Sequence, residues 1–313
     1  MQATPGITIV TGFLGSGKTT LLRALLERGA GGRRPGLIVN EFGQIGLDGP
    51  ALERAGGAPV VELSGGCVCC EAGSDFLVAV EELLDYEPDQ IVIETSGLAE
   101  PGGIIRRVRA AGLPLDAVIA VADAANLDAA LAASPVAEWQ LRAADLVVLS
   151  KADLVDPAAA IARVRAITPR AAILPAAHGA VPPELLFGPR VRPGDPAPMP
   201  GHTAHDGFES LAWTGEAPLR RATFESALAT LPRNVYRAKG LVHCSDAPWA
   251  DEVQVVCGRV ALSAVRLKAL TTPLNQLVLL GPGLDEVAPT ILAALDACAD
   301  TPERVEAWRG RRV

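Results

Sequence analysis

The stretch Gly12-Phe13-Leu14-Gly15-Ser16-Gly17-Lys18-Thr19 satisfies the whole pattern G-x-x-x-x-G-K-[ST], and few short motifs constrain a fold so tightly. It follows the apolar run at 7–10 and opens a helix-like stretch that runs through Leu26. Phosphate binding needs that strand–loop–helix context. Glycines let the backbone curl, so that its N–H groups and the N-terminus of the following helix face an anion. In this arrangement Lys18 reaches the β- and γ-phosphates and Thr19 holds Mg²⁺, while Gly12, Gly15, Ser16, Gly17 and Thr20 complete the cradle.

The rest of the first half fits such a domain. Apolar runs recur at 36–40, 60–63, 90–94, 117–121, 146–150 and 171–175, with helical stretches at 18–28, 74–84, 102–111, 136–143 and 157–167. The runs are continuous in Val, Ile and Leu rather than alternating, as in a parallel sheet buried on both faces. The expected fold class is α/β, a P-loop NTPase with a mostly parallel sheet flanked by helices. Seven prolines, Pro182, Pro183, Pro189, Pro193, Pro196, Pro198 and Pro200, then interrupt regular structure. Beyond them, 208–214, 235–244, 253–262 and 276–280 read as strands, and 219–231 and 285–298 as helices. The expected division is a P-loop domain at 1–187, a Pro-rich linker at 188–206, a smaller C-terminal α+β domain at 207–300 and a tail at 301–313.

Each further motif follows a predicted strand, where open α/β sheets bind ligands. The run 91–93 ends in Glu94-Thr95-Ser96-Gly97. Glu94 is expected to reach Mg²⁺ through water, and the Gly97 N–H to sense the γ-phosphate. Ser150-Lys151-Ala152-Asp153 resembles the guanine-reading Asn-Lys-x-Asp element. A carboxylate at Asp153 accepts two N–H bonds from guanine that adenine does not offer, so GTP is favoured over ATP. Lys151 packs its stem along the base, and Ser150, in place of Asn, makes a shorter, weaker contact.

Cys67-Val68-Cys69-Cys70 sits in a Gly-rich stretch. Thiolates select soft metals, and three of them leave the open position that a transfer site requires. Zn²⁺ fits best, with Co²⁺ and Ni²⁺ as the other candidates; thiol–disulfide chemistry and inert packing are the competing readings. Asn40–Asp48 occupies a switch position, where Glu41 is a candidate oxygen ligand or water-positioning group. His202 and His205 beside Asp206 read better as a solvated linker than as a metal site, His178 has no nameable partner, and His243 reads as a satisfied histidine of the second domain.

A net charge of −8 argues against a nucleic-acid or anionic-membrane partner. The phosphate loop begins at Gly12, which leaves no room for a signal peptide, and no apolar run approaches ~20 residues. A cytoplasmic protein with reduced thiols is expected. Cys244, Cys257 and Cys298 then read as small core residues.

Together these residues resemble the CobW-type GTPases. The resemblance rests on Gly12–Thr20, Val39-Asn40-Glu41-Phe42-Gly43, Ser64–Cys70 and Glu94–Pro101, and in the second domain on Gly207–Ser210, Arg237–Gly240 and Val255–Gly258. It implies GTP hydrolysis coupled to delivery of a metal, commonly zinc and sometimes cobalt, to a metalloprotein client. It also implies that Cys67, Cys69 and Cys70 link the metal to the nucleotide switches. The histidine-rich tract of many relatives is reduced here to His202 and His205. A nucleotide-dependent oligomer is a further expectation. The competing functions are an ATP- or GTP-dependent enzyme of cofactor synthesis and a metal-sensing regulator that delivers nothing.

Overall fold

The computed structural model describes residues 5–40, 57–63, 73–188, 208–267, 273–301 and 308. Contacts divide the chain into two compact units, Met1–Phe187 and Gly188–Val313. In the first, the apolar runs form seven strands: β1 Gly6–Thr11, β2 Pro35–Asn40, β3 Val60–Leu63, β4 Gln90–Glu94, β5 Leu115–Asp123, β6 Leu146–Ser150 and β7 Ala172–Pro175. They lie in the order β3-β2-β4-β1-β5-β6-β7, and every neighbouring pair is parallel. Every residue of β4 and β6 is buried, so both faces of the sheet must be covered.

The cover consists of α1 Lys18–Glu27, α2 Gly73–Leu84, α3 Pro101–Ala110, α4 Leu127–Ala133, α5 Pro135–Ala143, α6 Ala158–Ile167 and α7 Pro183–Phe187. Helix α2 buries Phe76, Ala79, Val80 and Leu83, an i, i+3, i+4, i+7 stripe, among Ile7, Ile38 and Ile93 of the sheet and Ile104 and Val108 of α3. At the β5–β6 end Leu127, Leu141 and Val164 of α4, α5 and α6 meet Ala120, Val147 and Leu149. Helices α4 and α7 are additional to those expected from the sequence.

The chain runs from β1 out to β2 and β3, returns to β4 beside β1, then places β5 on the other side. Strand order therefore reverses at β1, which makes its carboxyl end the natural ligand site. The register pairs Glu94 with both Val10 and Val39, and Asp123 with Ser150, so the functional ends of these strands are level.

The second unit holds an antiparallel sheet of β8 Glu209–Gly215, β9 Arg237–His243, β10 Ala250–Val256, β11 Arg259–Val265 and β12 Asn275–Gly281, in the order β11-β10-β9-β12-β8. Helices α8 Arg221–Ala229 and α9 Leu284–Asp296 pack Phe224, Leu228, Ile291 and Leu295 against Val242, Val253, Leu277 and Leu279. The stretch 253–262 is not one strand, as expected, but the β10–β11 hairpin. Its turn residues Cys257 and Gly258 both have positive φ, 48° and 84°, the twist that a two-residue hairpin loop requires.

Cys244 and Cys298 are buried, whereas Cys257 sits half-buried in this turn rather than in the core. His243 is buried with Nδ1 2.9 Å from the Leu274 carbonyl oxygen. Trp308, in the expected tail, is also buried, and its ring meets that of His243 edge-on at 6.0 Å. His202, His205 and Asp206 lie outside the described residues. No helix among the described residues is long and apolar enough to cross a membrane.

Candidate functional site

The phosphate loop joins β1 directly to α1. A Cβ at Gly12 (φ +149°) would lie 2.2 Å from the Val121 carbonyl oxygen, so only glycine lets the loop turn this close to β5. Gly17 caps α1 in the left-handed conformation with no side-chain bond, which leaves the positive end of the helix dipole to an anion. Lys18 Nζ donates to the Gly12 carbonyl at 2.9 Å and is thereby held over the loop. Gly15 lies in the left-handed region with φ +68°, and Thr20 is exposed on the first turn of α1.

Thr19 and Glu94 are 75 residues apart, and the fold brings them into contact: Thr19 Oγ1 donates to Glu94 Oε1 at 3.0 Å. Glu94 is buried at the end of β4. Two hard oxygen groups converging beside a phosphate loop, a hydroxyl able to ligate directly and a carboxylate able to act through water, fit Mg²⁺, whose chemistry there would be to neutralise charge on the phosphate oxygens. Thr95 ties the exit of β4 to β1 through Oγ1 to Thr11 Oγ1 at 2.9 Å and through its N–H to the Val10 carbonyl at 2.9 Å. Gly97 then passes directly against the loop: a Cβ there would lie 2.9 Å from Leu14 N and 3.0 Å from Leu14 Cα.

Ser150, expected at the base, is buried and donates its hydroxyl to the Ser16 carbonyl at 2.6 Å, so it ties β6 to the phosphate loop. Lys151 Nζ donates to the Gly15 carbonyl at 3.1 Å and to Asp123 Oδ2 at 2.5 Å. Burial alone would raise the Asp123 carboxyl pKa. Hydrogen bonds from Lys151, Asn126 and the Ala125 N–H, with the Lys151 charge, outweigh burial and hold it below the usual carboxylate value. Asp153 Oδ2 lies 3.7 Å from Nε2 of His178. The adjoining Gly179 packs on α1, where a Cβ would come 2.9 Å from the Thr20 carbonyl oxygen, so the loop after β7 reaches the side of the site.

Asp123 is the residue that sequence reasoning passed over here, and His178, noted there without a partner, finds one in Asp153. Asp123 carried the same signal as Glu94, a carboxylate closing a continuous apolar run. His178 carried none, because its neighbour Asp153 is 25 positions away in the chain.

Cys67, Cys69, Cys70 and Glu41 lie outside the described residues. The elements that flank them are described: β2 ends at Asn40, β3 at Leu63, and α2 begins at Gly73. Among the described residues no group of three or more His, Cys, Asp or Glu could hold a metal ion.

A parallel sheet whose order-reversing strand feeds this loop, lysine and threonine defines a P-loop nucleotide-binding protein. Residues 6–175 match the family model described as CobW/HypB/UreG, nucleotide-binding domain, and the chain belongs to that family. Residues 208–299 match a second model, the Cobalamin synthesis protein cobW C-terminal domain.

Among curated relatives, a protein from Sinorhizobium sp named Zinc chaperone CobW is 40% identical over 48% of this chain and 51% of its own length. A Pseudomonas aeruginosa protein of the same name is 39% identical over 58% and 59%. Zinc chaperone YjiA of Escherichia coli is 35% identical over 58% and 60%. The match thus spans only about half to three-fifths of these relatives. A solved Zn(II)-bound YjiA GTPase from E. coli aligns over 96% of this chain and 100% of its own, at 23% identity and a TM-score of 0.45; so loose a likeness transfers no residue roles.

Proposed function

We propose that the chain is a GTP-hydrolysing metallochaperone that binds Zn²⁺ as cargo at Cys67, Cys69 and Cys70 and delivers it to a metalloprotein client. The observation that carries the nucleotide half is the contact of Thr19 with Glu94 beside Lys18, which assembles a phosphate and Mg²⁺ site from two separate strand ends. Lys18 neutralises charge developing on the transferred phosphoryl group, Thr19 and Glu94 hold Mg²⁺, and the Gly97 N–H distinguishes triphosphate from diphosphate. Asp153, with Lys151 beside it, reads the guanine edge.

The metal half is supported by the names of the curated relatives, which are zinc chaperones, and by the chemistry of three thiols in four positions. Co²⁺ is the alternative cargo, and Glu41 the candidate fourth ligand. Cys67 is four residues beyond Leu63, at most about 14 Å of extended chain from the end of β3. That tether keeps the cargo at the carboxyl end of the sheet, the end at which the phosphate loop leaves β1. A cytoplasmic setting and a nucleotide-dependent oligomer belong to the same proposal.

Nucleotide preference tests it. Wild type should hydrolyse GTP in preference to ATP. Asp153→Asn, which swaps an acceptor for a donor, should cut that preference about tenfold or more. A wild type that turns over ATP as well as GTP refutes the guanine assignment.

A further inference from the structure

Gln140 lies on α5, a helix started sharply by Ser134, whose Oγ accepts from the Val136 N–H, and by Pro135 in the first turn. Its neighbours Ala137 and Leu141 face the apolar core, and Gln140 itself is only 1% exposed. A buried amide in such company is costly unless it is paired. Its Nε2 donates to two carbonyls in one turn, those of Gly97 and Ala99, each at 3.2 Å. That turn carries the Gly97 N–H and leads directly into α3 at Pro101.

The other end of the same amide has no partner among the described residues, and neither has one hydroxyl of the phosphate loop. Gln140 Oε1 and Ser16 Oγ are both buried and make no hydrogen bond with any described residue. Both residues line one cavity of about 50 Å³, walled by Gly12, Leu14, Val121 and Asp123. One side chain therefore touches the turn that senses the γ-phosphate and borders the loop that cradles it.

We infer that Gln140 is a positioning residue for the γ-phosphate sensor. It holds Gly97 against the phosphate loop in the place from which its N–H meets the γ-phosphate, so the triphosphate is bound by a donor already in position. The turn leaves that place only by breaking both bonds or by taking α5 with it. This rests on the nucleotide-switch reading proposed above.

The test is Gln140→Met, which keeps the side-chain length and removes both donors. Dissociation constants for GDP and for a non-hydrolysable GTP analogue are measured by titration, together with Tm. The expected result is a GDP affinity within about twofold of wild type and an analogue affinity about tenfold weaker, the worth of the one hydrogen bond, from the Gly97 N–H to the γ-phosphate, that only the triphosphate accepts. An equal loss for both nucleotides is what a merely structural residue gives and overturns the inference, as does no change in either. If Gln140→Met fails to fold, Gln140→Asn keeps the amide but is one methylene too short for both carbonyls, and the same ratio decides. A wild type that binds GDP and the analogue equally well overturns the switch reading itself, which separates that failure from one confined to Gln140.

Discussion

Replacing Gly97 by alanine probes the closest approach in the site. The new methyl would sit 2.6 Å from Leu14 Cδ2, 2.9 Å from Leu14 N and 3.0 Å from Leu14 Cα. The Leu14 side chain is 58% exposed and can swing aside, but the backbone atoms belong to a loop fixed by Gly12 under the Val121 carbonyl. Ordinary carbon contacts begin near ~3.5 Å, so one loop must retreat by about half an ångström. Gly97 does not adopt a positive φ, so backbone strain adds nothing and the contact alone sets the cost. Overpacking of this kind costs about 1–3 kcal/mol. At roughly 2–4 °C per kcal/mol for a unit of this size, Tm should fall by about 2–12 °C. Calorimetry reads that fall, and titration with a GTP analogue should show affinity weakened by about tenfold or more as the sensor N–H is displaced. Gly15→Ala is the control for the stability readout alone: no protein atom lies within 4 Å of its Cβ, so only the left-handed backbone, φ +68°, is penalised. A Gly97→Ala variant with Tm within about 1 °C of wild type and unchanged analogue affinity would refute the geometry on which the sensor argument stands.

Other changes test neighbouring parts of the account. Lys18→Ala should abolish measurable GTP hydrolysis and weaken nucleotide binding; turnover within about twofold of wild type would sink the phosphate-loop assignment. Ser150→Ala removes a buried 2.6 Å hydrogen bond to the phosphate loop and should cost about 1 kcal/mol of stability, read by urea unfolding; an unchanged midpoint contradicts the tether. Burial pushes the Cys244 thiol pKa up to about 12, against the pull of the Arg221 charge, and burial raises that of Cys298 too. A raised pKa leaves little thiolate at neutral pH, so a maleimide should spare both in the folded protein and modify them after denaturation. Native labelling at Cys244, mapped by mass spectrometry, would contradict the packing of the second unit.

Much of the first unit was legible because its signals are local. A parallel strand buried on both faces must be a continuous apolar run, and the phosphate loop is contiguous in sequence. The β10–β11 hairpin was not legible, since its turn is Cys257-Gly258 and not the Asn-Gly or Asp-Gly that marks such loops. Trp308 falls in the expected tail, because nothing local announces that an isolated indole packs against His243. The site divides in the same way. Lys18, Thr19 and Glu94 stand in motifs, whereas the meeting of Thr19 with Glu94, of Lys151 with Asp123 and of Gln140 with Gly97 depends on strand order. Gln140 was the hardest to see: a lone glutamine on a helix has no spacing to betray it, and its function comes from the turn it faces 43 residues earlier.

The central claim is that cargo and nucleotide are coupled, and metal affinity in each nucleotide state tests it most directly. Zn²⁺ and Co²⁺ affinities would be measured by competition against a chelator, once with GDP and once with a non-hydrolysable GTP analogue. Coupling free energies of about 1–3 kcal/mol predict a difference of about 5–150-fold between the two states. Cys→Ser at 67, 69 and 70 should erase that difference while leaving nucleotide binding nearly intact, because hydroxyls are poor ligands for soft metals. Equal metal affinity in the two states would leave a nucleotide site and a metal site on one chain with nothing passing between them, and would contradict the account.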